Sequence, residues 1–134
     1  MFRTKFDRYR RGAAVVELAV SLPIIMVVLF GILEISNSVA LRKSLVVAAY
    51  EGSLVAILPG ATASDVQSVV TQVVSDRGLD IAQINVTPSD LVAAPKGTLI
   101  TVDVVAEYDD NCLVFSGLFN SVPLHGTATF VKEF

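Results

Sequence analysis

The chain reads as an α+β protein: one long N-terminal helix crosses a membrane, continues outside it and carries a small helix-plus-antiparallel-sheet module. Three observations predict this. The 134 residues are 53% hydrophobic and only 17% charged, with a mean hydropathy of +0.65, whereas a soluble domain runs at about 25% charged. The charge is also sharply divided. Arg3, Lys5, Arg8, Arg10 and Arg11 stand against a single Asp7 in residues 1–12, a net +4, while the remainder is acidic enough to bring the whole chain to -3. Finally, apolar spacing suited to a helix gives way to strict alternation in the C-terminal third.

The basic leader, residues 1–12, marks the cytoplasmic side of a span, so the N-terminus is expected inside and the C-terminal module outside. From Ala13 to Leu33 the only charge is Glu17. At about 1.5 Å per residue this stretch reaches roughly 31 Å, close to the ~30 Å thickness of the hydrocarbon core. A cleavable secretory signal has a shorter apolar region, about 7–15 residues. Ser38-Val39-Ala40 has the form of a signal-peptidase site but follows Glu34 without a preceding turn. The expected transmembrane part is residues 13–34.

The helical pattern continues over residues 35–58. Ile35, Val39, Leu41, Leu45, Val46, Ala49, Leu54 and Ile57 extend an apolar surface, and Asn37, Ser44 and Glu51, with Ser36 and Lys43, form a narrow polar stripe. Pro59-Gly60 is the first stop. A helix over 13–58 would be roughly 69 Å long, and its solvent half is too apolar to stand alone. Residues 59–134 form the module. Ser64 with Gln67 reads as a capping box. Val66, Val69, Val70, Val73 and Val74 then share one face, and Gly78 closes the helix. Three strands follow: Ile84 and Val86, stopped by Pro88; Ile100 to Tyr108, the clearest alternation in the chain; and Leu124 to Val131. Lys96-Gly97 lies at the turn between the first two, which predicts an antiparallel pair. Asn111 to Ser121 reads as a loop or short helix covering the sheet edge. About 76 residues make a marginal core, so the protruding helix is expected to supply one wall.

Glu17 calls for an explanation, because a carboxylate within a span costs about 2.5–3.5 kcal/mol on insertion scales. Two readings account for it. Glu17 lies one turn from Ala13 and can snorkel to the headgroups, or it serves a specific partner. Upstream stand Arg10-Arg11-Gly12, then Ala13-Ala14-Val15-Val16-Glu17. A small residue after a basic leader, with a glutamate five residues into the apolar run, has the form of a prepilin processing site.

Here the sequence resembles the TadE-like pseudopilins of the tight-adherence (Flp-type) pilus system. The matching stretch runs from Arg11 through Glu17 to Pro23 and on to Phe30-Gly31-Ile32-Leu33-Glu34. A second block is Ala48-Ala49-Tyr50-Glu51-Gly52. The resemblance implies a pilin-like fold and a minor structural component of a pilus or secretion apparatus in the cytoplasmic (inner) membrane. It implies cleavage by a prepilin peptidase between Gly12 and Ala13, leaving Glu17 as the fifth mature residue. In the family an aromatic commonly follows this glutamate; here it is Leu18. Other pilins or pseudopilins and the assembly platform are the implied partners, with Glu17 pairing to the free amine of a neighbour's Ala13. The alternative is an unprocessed single-pass anchored binding protein.

Elsewhere, Pro23 leaves the Ala19 carbonyl without its helical donor and predicts a kink. Glu34 falls near the outer boundary, where a solvated carboxylate is expected. Glu51 and Gly52 sit where helix and module should meet: Gly52 for close packing, Glu51 as a bond to the module or a surface charge. Asp109-Asp110-Asn111 lacks the spacing of a calcium loop and reads as a turn. Cys112 reads as a buried small hydrophobe and His125 as a solvated strand residue. The acidic balance argues against nucleic acid. No catalytic, cofactor-binding or metal motif is found, and an enzyme is not expected.

Overall fold

In the computed structural model the order is α1 (Thr4–Ala56), α2 (Ala63–Asp76), β1 (Gln83–Thr87), β2 (Leu99–Glu107) and β3 (Pro123–Val131). The structure describes residues 4–81, 83–112 and 122–133, with side chains from Gly12 onward. The three strands form one antiparallel sheet in the order β1-β2-β3. The layout is α+β and pilin-like, as the sequence predicts. Of the segment Asn111 to Ser121, expected as a loop or short helix covering the sheet edge, residues 113–121 lie outside the described residues.

α1 starts earlier than the expected Ala13. It takes in the leader from Thr4 and runs unbroken through Pro23 for 53 residues, ~80 Å of helix. It ends at Ala56, before the turn in which Gly60 adopts φ +77°.

α2 begins two residues before the expected cap. Thr62, not Ser64, is the N-cap, and its reciprocal partner is Asp65 rather than Gln67. Thr62 Oγ1 accepts from the Asp65 amide at 3.3 Å, and the Thr62 amide donates to the Asp65 carboxylate at 2.9 Å. The earlier start has a physical reason: it places an anion in the first turn, against the positive end of the helix dipole. The Thr62 hydroxyl, then its amide, holds the Asp65 carboxyl below its ordinary value. At the other end Gly78 (φ +64°) donates to the Ser75 carbonyl and Leu79 to that of Val74, a Schellman closure.

Alternation decides how the sheet faces. Ile100, Val102, Val104, Ala106 and Tyr108 point inward and are buried, while Thr101, Asp103, Val105 and Glu107 point outward. Val66, Val70 and Val74 of α2 close one side of this core. The outer half of α1 supplies the other wall, through Leu41, Leu45, Ala48, Ala49 and Ala56. Only part of its apolar surface is used, since Ile35, Val39 and Val46 remain exposed.

The β1–β2 connection is not a tight hairpin. It spans residues 88–98, and Gly97 (φ +87°) sits at its far end, donating to the Lys132 carbonyl. The buried Lys132 ammonium donates in turn to the carbonyls of Leu91 (2.6 Å) and Ala94 (2.8 Å), giving this loop its fixed shape.

Candidate functional site

From Gly12 to Leu29 every residue but the half-buried Ser21 is exposed. All six residues from Ile24 to Leu29 are exposed and apolar. Successive residues turn ~100° about the axis, so such a run presents apolar surface on every side, as a lipid-facing helix does and a helix with one protein partner does not. Residues Gly12–Ala56 form a helix long and apolar enough to cross a membrane, and none of its most apolar stretch is buried.

At the foot of this segment Gly12, Ala13 and Glu17 are all exposed within continuous helix. Among the described residues nothing stands within 4 Å of a Cβ on Gly12. Ser21 Oγ donates to the Glu17 carbonyl at 2.7 Å, so the hydroxyl turns back on the backbone and leaves the carboxylate on the apolar surface. Pro23 lies two residues further on, inside the helix. The structure places these four residues on one short stretch, well separated from Glu51 and Gly52.

Where the helix meets the module, the expectation for Glu34 is overturned. Glu34 is buried, at 5% exposure, not solvated. The Tyr108 hydroxyl donates to its carboxylate and lies 3.2 Å from its backbone carbonyl. The physical reason is the helical face: Glu34 stands one heptad before Leu41 on the side that α1 turns to the sheet, and Tyr108 is the last inward residue of the β2 alternation. Burial, then the bond to Glu34, pushes the Tyr108 phenol up to about 12.

Asn111 completes the junction. Its backbone carbonyl accepts from Asn37 Nδ2 at 2.9 Å, and its side chain donates to the carbonyls of Asp80 and Glu107 and accepts from the Asp80 amide. One residue of the Asp109–Asn111 turn thus ties α1 through its carbonyl, and the α2–β1 connection and the end of β2 through its side chain. Cys112 beside it is half-buried against the core. Desolvation, then the charges of Glu34 and Asp109, pushes its thiol up.

Removing the Tyr108 hydroxyl deletes a buried hydrogen bond to the Glu34 carboxylate, and a hydrogen bond to a charged group is worth about 1.5–3 kcal/mol. Tyr108→Phe is therefore expected to lower the denaturant midpoint of the module by a corresponding amount. The phenol titrates higher in the folded state than its ordinary 10.0. Its contribution is thus complete below pH 10 and is lost as pH rises toward about 12. Alkaline titration of wild type and Tyr108→Phe, followed by tyrosine absorbance and melting temperature, should show this loss in wild type and a smaller one in the variant.

Higher on α1, Gly52 is buried under α2. A Cβ there would stand 2.5 Å from Val70 Cγ2, 3.3 Å from Val66 Cγ1 and 3.5 Å from Val102 Cγ1. Glu51 is exposed and makes no hydrogen bond among the described residues. Ser53 is buried, donating to the Ala49 carbonyl at 2.7 Å, with the Ala128 carbonyl of β3 at 3.4 Å. A second close approach has no counterpart in the sequence reading. Gly126 of β3 lies against the Leu45 backbone, and a Cβ there would stand 2.5 Å from the Leu45 carbonyl oxygen and Cβ. A glycine in mid-strand was the available signal. His125, exposed as expected, has Nδ1 3.2 Å from the Asp103 carboxylate across the sheet.

No curated protein and no solved structure matches the chain. The family model described as TadE-like protein matches residues 12–54. That match starts at the glycine before the span and ends just past Gly52, so it takes in the exposed apolar segment and the face that carries the module. Over this helix, about a third of its length, the chain is similar to TadE-like proteins.

Proposed function

We propose that the protein is a minor pseudopilin, a structural component that aids assembly of a tight-adherence pilus or a related secretion apparatus at the cytoplasmic membrane. The leader lies inside, the module lies outside, and a prepilin peptidase cuts between Gly12 and Ala13. The observation that carries this reading is Gly12-Ala13 followed by Glu17 at the foot of a largely exposed apolar helix, within the segment that matches TadE-like proteins. Proteolysis needs locally extended backbone. Glycine weakens a helix by about 1 kcal/mol relative to alanine, which favours opening of α1 at Gly12. The partners of this reading are the membrane, the peptidase, other pilins or pseudopilins and the assembly platform. Its role is mechanical, with no catalysis of its own.

N-terminal sequencing of the protein from cells with and without the prepilin peptidase tests this. Ala13 should be the first residue only when the peptidase is present. Met1 in both would identify an unprocessed single-pass anchored binding protein instead.

A further inference from the structure

The module has a membrane-proximal end, and its surface there is two-sided. β2 runs down toward the membrane, with Val102 near Gly52 and Tyr108 against Glu34. β3 starts at the same level: the Tyr108 amide donates to the Val122 carbonyl, and Gly126 is already at Leu45. The lower end therefore comprises the first turn of α1 above the span, the Tyr108–Cys112 turn and the start of β3. On one side lie Asp80, Asp110 and the Asn111 hub. On the other, an open pocket of about 270 Å³ is lined by Glu34, Ile35, Ser38, Tyr108, Val122 and Leu124.

That second side is apolar and accessible. Ile35 is 67% exposed and Val122 45%, with Pro123 exposed beside it. The Glu34 carboxylate, which would otherwise oppose contact with hydrocarbon, is covered by the Tyr108 hydroxyl. The surface is continuous with the lipid-facing helix, for Ile32 and Leu33 just below are exposed as well. Ala13 to Leu33 is about as long as the hydrocarbon core is thick, so Glu34 and Ile35 fall at its edge.

We propose that the module docks on the adjacent lipid leaflet through Ile35, Val122, Pro123 and Leu124, with acyl chain occupying the pocket beside Glu34. The occupant is lipid, because the patch continues a surface that already faces lipid and lies at the bilayer edge. Docking fixes the height and tilt of the module while the acidic Asp80–Asp110 side stays in water. This placement rests on the reading of α1 as a membrane span.

The chain contains no tryptophan, so a single introduced one reports its own surroundings. Four full-length variants in phosphatidylcholine nanodiscs provide the test: Val122→Trp, Pro123→Trp, Ile24→Trp in mid-span and Leu58→Trp just past the far end of α1. Retained melting temperature shows that each is folded. Val122→Trp and Pro123→Trp should lose fluorescence to lipids brominated near the headgroup end of the acyl chains. Ile24→Trp should lose it to lipids brominated deep in the chains, and Leu58→Trp to neither. If Ile24→Trp is quenched while Val122→Trp and Pro123→Trp behave like Leu58→Trp, the docking proposal is overturned and the span stands. Shielding of Val122→Trp and Pro123→Trp that grows with protein density, without lipid quenching, overturns it in favour of a second copy. If Ile24→Trp is not quenched either, the membrane reading fails with it.

Discussion

Gly126→Ala is expected to unseat the module from the helix. The added methyl would meet the carbonyl group of Leu45, which is helix backbone and cannot rotate away. Overpacking typically costs about 1–3 kcal/mol where side chains can adjust, so a backbone collision belongs at or above the upper end. For a domain stabilised by about 5–15 kcal/mol this is a large fraction. The consequence is specific, because β3 and the helix must separate, and with them go the Ser53–Ala128 contact and the edge-on packing of Tyr50 on Phe130 at 5.6 Å. Gly52→Ala should cost less, since the nearest obstacle is the end of the Val70 side chain. Gly31→Ala meets nothing within 4 Å. It should be neutral or slightly stabilising, because alanine is the better helix former by about 1 kcal/mol. Limited proteolysis of the three variants in detergent, with denaturant midpoints, gives the ranking. A Gly126→Ala module as resistant as wild type would show that the helix–sheet approach is looser than the structure has it.

The elements were legible where one local period dominates. The roughly six helical turns from Ala13 to Leu33 with Glu17 as their only charge, the Val66–Val70–Val74 face and the alternation from Ile100 to Tyr108 each determine an element without knowledge of its partners. What escaped were features decided between elements. Thr62-x-x-Asp65 and Ser64-x-x-Gln67 are both capping patterns, and the choice between them rests on which start gives the helix its acidic first turn. Glu34 was judged by depth in the bilayer alone. Its helical phase, one heptad before Leu41, already placed it on the buried face, and Tyr108 already ended the inward series. Two inward-pointing polar groups on facing elements must satisfy each other, so this pair was legible in principle. Gly126 carried a weaker mark, since a mid-strand glycine signals a close approach but not the element that approaches. The Asn111 hub left no mark in the pattern. Three of its four bonds join segments more than thirty residues apart, and three of the four partner atoms are backbone groups that no side-chain code reveals.

Glu17→Gln separates the two accounts of the carboxylate at the foot of the span. If Glu17 only snorkels to the headgroups, the amide is cheaper to hold near lipid than the carboxylate, and insertion and assembly should both persist. The proposed pseudopilin role gives a different result. After cleavage the amine of Ala13 is a cation close to the apolar boundary, and the exposed Glu17 of a neighbouring subunit is the group that would balance it. Removing one member of a desolvated ion pair leaves the other uncompensated, at a cost of about 3–5 kcal/mol. That corresponds to an association weakened by roughly two to three orders of magnitude or more. The bond being cut lies more than one helical turn away, so processing should continue in the variant while incorporation into the apparatus fails. Co-isolation of Glu17→Gln with its assembly partners, measured alongside the mature N-terminus, reads both steps in one preparation. Normal processing with normal co-isolation would return Glu17 to the headgroups, and would leave the apolar face of the helix to supply the subunit contact by itself.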